Sequence, residues 1–151
     1  MEWRDIVALS LAFAFWQWRR QVSATQAQET LRERLSCLRA ADDFRSLASP
    51  TGILAMKLTA REWVQVAELA GSVNNILARA HGSWAGLLLP LEKDKLEAAR
   101  QQMVALLNRL PLQGQQEPNG EATSRMIAAA YLTNAIAAEI EGRLRTEADR
   151  R

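Results

Sequence analysis

The sequence predicts an all-α protein in which an N-terminal hydrophobic anchor helix continues into a bundle of about four helices. Three observations support this fold class. Residues 6–16 carry no charge and are apolar all around a helix, apolar residues farther along recur at spacings of three and four, and no segment alternates as a strand does. With 151 residues, 48% of them apolar and 24% charged, the chain suits one compact domain or a domain with an appendage.

The opening segment predicts attachment to a membrane. A helix from Trp3 to Trp18 is roughly 24 Å long, which is short of the roughly 30 Å of bilayer hydrocarbon, but tryptophans favour the headgroup level and arginines can snorkel to it. Local thinning of the bilayer would cover the deficit. We therefore predict a single-pass transmembrane helix over residues 1–20. Its membrane-anchor residues are Trp3, Ile6, Leu9, Phe13, Phe15, Trp16, Trp18, Arg19 and Arg20.

Two other interpretations of the segment remain open, namely a helix buried by other helices or by neighbouring subunits, and a helix lying in the membrane interface. A cleaved signal peptide is excluded, because the charges of residues 2–5 nearly cancel and bulky, basic residues follow the apolar run. Since arginine and lysine are retained in the cytoplasm, the arginines after the run place the amino terminus outside and the bulk of the chain inside.

The first helix is predicted to continue past residue 20, because no glycine or proline occurs before Pro50. Leu31, Leu35 and Leu38 lie near one face of this extension. They are candidate interface residues, either as the seam of a stalk or as simple packing within the chain.

The next elements are set by turn and cap signals. Ser49–Gly52 predicts a turn, and residues 53–58 are too short a segment to classify, although they suit an extra turn of helix. Thr59 and Glu62 fit a capping box, which places a helix start near Ala60 and an end near Gly82.

The second half of the chain predicts two more helices. Pro90 suits a helix start, and the apolar residues from Leu96 to Leu110 recur at spacings of three and four. Residues 111–122 are rich in Gln, Gly and Pro and predict a flexible connector before a last helix over residues 123–145. The predicted domains are the anchor, 1–20, and a helical cytoplasmic domain, 21–151.

The residue inventory argues against most enzyme chemistry. His81 is the one histidine and Cys37 the one cysteine, so zinc sites with several histidines and internal disulfides are excluded within one copy. No nucleotide-binding or hydrolase motif occurs, and we expect neither cofactor nor metal. His81 is explained as a helix cap and Cys37 as a small core residue. Trp63 and Trp84 are candidate interface or core anchors.

Two resemblances to functional domains fail, one on spacing and one on the segment that follows it. An Arg followed by four to six residues and then His marks helical ribonuclease domains, and the arginine before His81 is two residues away. The segment from Leu58 to Glu62 resembles the start of a response-regulator helix-turn-helix, but an apolar stretch follows where a polar recognition helix is needed. The net charge of +2 also requires no nucleic acid, and none is expected as a partner.

The segment "FWQWRRQVSATQAQETL" resembles the start of an uncharacterised family of small bacterial proteins. The matching positions are Arg20, Gln21, Ala24, Thr25, Ala27 and Gln28. The resemblance implies an N-terminal membrane anchor and a helical cytoplasmic domain, and it implies no activity.

The expected function is that of a membrane-anchored, non-enzymatic interaction or assembly subunit in the bacterial inner membrane, and we expect it to be homo-oligomeric. Its partners would be membrane lipid and a protein partner or further copies, with no small-molecule substrate. The alternative is a soluble, cytoplasmic subunit whose first helix is buried against a partner, and a third reading is a cryptic helical nuclease that uses His81.

Overall fold

A computed structural model describes residues 3–111 and 115–151, and the side chains of residues 4–6 are left out of the description. The described residues form five helices and no strand: α1 (Trp3–Arg45), α2 (Ala48–Ala60), α3 (Trp63–Ser83), α4 (Pro90–Asn108) and α5 (Gly120–Arg150). The predicted all-α class and the bundle are therefore confirmed.

The first helix, α1, is 43 residues long and passes residue 20 without a break, as predicted. It ends at Arg45 in a tight turn, in which the Leu47 N–H donates to the Phe44 carbonyl at 3.1 Å. Residues 7–35 are exposed throughout, and the first fully buried side chain is that of Cys37. Only about the last quarter of α1, residues 36–45, therefore belongs to the bundle.

The turn predicted over Ser49–Gly52 is wrong, because these residues lie within α2. Pro50 is the third residue of α2, where a backbone N–H has no acceptor inside the helix, so its missing donor costs nothing there. The Thr51 hydroxyl donates to the Leu47 carbonyl at 2.7 Å and supports the helix start. The short segment 53–58 is helical.

The capping box predicted at Thr59 is also wrong. Thr59 lies in the last turn of α2, and its hydroxyl donates to the Ala55 carbonyl at 2.9 Å. Arg61 takes the left-handed conformation, with φ of 57°, and its N–H donates to the Leu58 carbonyl at 3.2 Å. The segment is therefore a helix C-cap, and α3 begins two residues later.

In the bundle, α1 and α2 both pack against α5. Helix α5 runs antiparallel to both, because Arg145 pairs with Asp42 at 2.8 Å and Glu117, just before α5, pairs with Arg61 at 3.3 Å. Helix α3 packs against α2, α4 packs against α3, and α5 packs against α4. The largest fully buried apolar side chains are those of Phe44, Leu47, Leu54, Leu58, Leu77, Leu96, Met103, Ile140, Leu144, Val66 and Val73.

The apolar face predicted for α4 is confirmed as core. The last helix, α5, extends beyond residues 123–145 at both ends. Asn119 caps its start, with Oδ1 accepting from the Ala122 N–H at 2.8 Å. The far end reaches Arg150, with Ala148 fully buried, and Arg151 just beyond it pairs with Glu33 of α1. Of the predicted connector, residues 112–114 lie outside the described part of the chain, and Gly120 already begins α5.

Among the described residues, no helix combines the length and the apolar character needed to cross a membrane. The predicted single-pass helix is thus not supported. The physical reason lies in the sequence around the run, because Gln17, Arg19, Arg20 and Gln21 follow it directly and keep the apolar stretch well below about 20 residues.

Candidate functional site

The N-terminal part of α1 presents an apolar surface that no other part of the described chain covers. We call it the apolar tip; its eight exposed large side chains are Trp3, Val7, Leu9, Leu11, Phe13, Phe15, Trp16 and Trp18. Their exposed fractions range from 40% for Val7 to 78% for Trp3. Because a helix turns about 100° per residue, these positions cover all sides of α1. The interpretation in which the other helices of the same chain bury this segment is wrong.

Aromatic side chains within the apolar tip pack along the helix. The ring centroids of Phe13 and Trp16 lie 6.1 Å apart, and those of Phe15 and Trp18 lie 5.8 Å apart. Residues three apart are neighbours on a helix surface, so these pairs are contacts along α1 and leave the tip uncovered. Ile6 is the one predicted anchor residue whose side chain lies outside the description.

Two exposed arginines, Arg19 and Arg20, follow the apolar tip, and we call them the arginine collar. The guanidinium carbon of Arg20 lies 5.4 Å from the centroid of the Trp16 ring, within range of a cation–π interaction. The nearest acids along the chain are Asp5 and Glu29, and among the described side chains no salt bridge pairs either arginine with an acid. The collar is therefore a local positive charge at the base of an apolar surface.

Residues 21–35 separate the collar from the bundle, and we call them the spacer. They are exposed and mostly polar, and the spacer is roughly 22 Å long as a helix. Its hydroxyls are satisfied within the helix, since Thr25 donates to the Gln21 carbonyl at 2.9 Å and Thr30 to the Gln26 carbonyl at 3.0 Å. The spacer thus holds the apolar tip away from the bundle.

The five predicted interface residues fall into two groups. Leu31 and Leu35 lie on the spacer, 56% and 44% exposed, so simple packing within the chain does not account for them. Leu38, Trp63 and Trp84 are partly buried and pack against the chain's own core. Of these, Trp84 also donates its indole N–H to Asp43 Oδ2 at 2.7 Å.

His81 lies in the last turn of α3, the position predicted for a helix cap. Among the described residues, neither a hydrogen bond nor an ion pair joins it to another side chain, and no group of three or more His, Cys, Asp and Glu residues is placed to hold a metal ion. The polar cluster that a nuclease reading requires does not converge on His81 in the described chain.

A furrow of about 390 Å³ runs between α4 and α5. Ala105, Ala128 and Leu132 line it, and Arg109 and Arg125 stand at its side. These side chains provide apolar contact and positive charge, and they include neither a nucleophile nor a pair of acids.

Arg143 forms an ion-pair network that sequence reasoning missed. Its guanidinium donates to Glu92 Oε1 at 2.5 Å and Oε2 at 2.7 Å, to the Leu87 carbonyl at 2.8 Å and to Glu147 at 2.9 Å. Glu92 is 7% exposed and also accepts the Leu89 N–H at the start of α4, at 2.9 Å. The side-chain hydrogen bond with Glu92 raises the pKa of Arg143. The network ties α5 to α4 and to the preceding loop.

Cys37 is buried where α1 meets α5, and burial raises the pKa of its thiol, with a further increase from the nearby Glu147 carboxylate. We expect the native thiol to react with an aromatic disulfide reagent at least about a hundredfold more slowly than the unfolded chain, because only an opening exposes it. Fast labelling of the folded chain would show instead that the end of α1 separates from α5.

The raised pKa of the Cys37 thiol also makes the free energy of unfolding depend on pH in the alkaline range. The contribution of the protonated thiol is fully present below its ordinary pKa and is lost as the pH rises through the higher value of the folded state. Cys37→Ala therefore removes this alkaline component, which unfolding measured as a function of pH detects.

No protein-family model, curated protein or solved structure matches this chain.

Proposed function

We propose that the protein is a non-enzymatic helical interaction or assembly subunit that the apolar tip attaches to a membrane. The observation that carries the proposal is the exposure of eight large apolar side chains on all sides of a helix that stands clear of its own bundle. Lipid surrounds an inserted helix on every side, whereas a single partner helix covers one face.

The energetics favour removal of this surface from water. A fully buried large apolar side chain gains roughly 1.5–3 kcal/mol, so eight side chains that are about half exposed represent on the order of 8 kcal/mol. The tip is shorter than the bilayer hydrocarbon, and local thinning together with snorkelling of the arginine collar accommodates the difference. The orientation stays the one predicted from the arginines, with the bundle in the cytoplasm.

A second candidate is a soluble subunit in which a partner or further copies of this chain cover the first helix. The exposed Leu31 and Leu35 favour it, because lipid at the tip would leave them in water. Their spacing of four residues suits a helix–helix contact along the spacer.

Fractionation of the expressed full chain tests the proposal. After an alkaline carbonate wash we expect the protein in the membrane pellet, whereas a peripheral protein is released. Size-exclusion chromatography without detergent provides the second measurement. A released protein that runs as a monodisperse monomer in plain buffer contradicts membrane attachment and self-assembly, and a released protein that runs as a defined oligomer supports the second candidate.

A further inference from the structure

We propose that the arginine collar binds the phosphate groups of anionic lipids, so that attachment depends on a negatively charged membrane surface. This inference rests on the proposed function, because it names the lipid class that the apolar tip meets. The supporting observations are the charge and the surroundings of Arg19 and Arg20 at the base of the apolar tip.

The charge of the collar is isolated along the chain. Between Asp5 and Glu29 the only charged residues are Arg19 and Arg20, so no acid lies within about two turns of helix after them or about three turns before them. Both side chains are exposed, and among the described residues neither forms a salt bridge. Their charge is thus available to an external anion.

The collar also provides hydrogen-bond donors beside an apolar wall. Arg20 stands with Trp16, Gln17 and Gln21 along one open, exposed face of α1. The planar guanidinium matches two phosphate oxygens, and the glutamine amides add further donors. The position of Arg20 near the Trp16 ring places the guanidinium next to a side chain that favours the headgroup level.

The geometry therefore matches a lipid better than a soluble anion. The donors lie where the apolar tip ends, so a bound phosphate continues into acyl chains that run along Phe13 and Trp16. The net positive charge favours lipids that carry a net negative charge over zwitterionic lipids.

Flotation with vesicles tests the inference. The full chain, diluted from detergent, is mixed with vesicles of phosphatidylcholine alone or of equal parts phosphatidylcholine and phosphatidylserine. We expect roughly 30-fold stronger partition into the mixed vesicles at low salt, which is the factor that two arginines contribute near an anionic surface. The preference should shrink as salt is added.

Arg19→Gln together with Arg20→Gln should lose the preference and keep binding to phosphatidylcholine, because the apolar tip is unchanged. Arg32→Gln together with Arg39→Gln is the matched control, since it removes the same charge roughly 20 Å or more farther along α1, beyond the Debye length at moderate salt. This control should keep the preference.

The outcomes separate the two proposals. Equal binding of the unchanged protein to both vesicles overturns the collar inference and leaves membrane attachment intact. The collar inference is also overturned if the control loses as much of the preference as the collar variant does. The preference would then depend on the total charge of the chain and not on the position of Arg19 and Arg20. Binding to neither kind of vesicle overturns the proposed function as well.

Discussion

Replacement of Leu9 and Phe13 together by aspartate is expected to release the protein from membranes. Both side chains are more than half exposed on the apolar tip and lie four residues apart, on one side of α1. An aspartate near the centre of an inserted helix costs roughly 2.5–3.5 kcal/mol, so the pair weakens partition by roughly 5–7 kcal/mol, or at least about a thousandfold. Carbonate washing and sedimentation of expressing cells measure the change.

The spacer offers a matched control on the same helix. Leu31→Asp with Leu35→Asp also replaces two exposed leucines four residues apart, but these lie beyond the arginine collar. We expect this variant to stay in the pellet. If both variants are released to the same extent, or if the Leu9 and Phe13 variant stays in the pellet, insertion of the apolar tip is wrong.

The same pair of variants discriminates the second candidate. If copies of this chain associate along the spacer, Leu31→Asp with Leu35→Asp lowers the oligomer mass in detergent-free buffer. If membrane attachment is the only function of the first helix, the detergent-dispersed protein has the same mass with and without the two substitutions.

Replacement of Arg143 by methionine is expected to lower the free energy of unfolding by about 3 kcal/mol, the lower end of the range for breaking a buried ion pair. The substitution leaves the Glu92 carboxylate, 7% exposed, without both guanidinium bonds. The lower end applies because Arg143 itself is one-quarter exposed. Chemical denaturation followed by circular dichroism, in a mild detergent that keeps the full chain dispersed, measures the loss.

Two further variants identify the cause. Arg145→Met removes a neighbouring arginine whose partners, Glu141 and Asp42, lie nearer the surface, and its effect should be clearly smaller. Glu92→Gln combined with Arg143→Met removes the stranded charge and should recover part of the loss. If the double variant is as unstable as Arg143→Met alone, the stranded carboxylate is not the cause.

Several features of the fold were predictable because they depend on residues that lie close together in the sequence. The buried residues of α4, from Leu96 to Leu106, recur at helical spacing and form core in the structure. The unbroken passage of α1 through residue 20 follows from the absence of glycine and proline, and Pro90 begins α4 as expected.

The predictions that the structure contradicts lie where the same short sequence pattern occurs in two kinds of local structure. Ser49–Gly52 reads as a turn, yet Pro50 is equally suited to the first turn of a helix, and the position of the preceding turn decides between them. Thr59 and Glu62 have the spacing of a capping box, but the Thr59 hydroxyl bonds backward to Ala55, because the helix it serves precedes it.

For the candidate site, the sequence by itself determined that residues 6–16 are apolar on every side and that two arginines follow them, since both facts are properties of neighbouring residues. Only the tertiary structure decided that the bundle leaves the apolar tip and Leu31 uncovered, and that Arg143 meets Glu92 across 51 positions. The physical reason is that a helix face is encoded by residues three and four apart, whereas its cover comes from distant segments whose contacts no local pattern specifies.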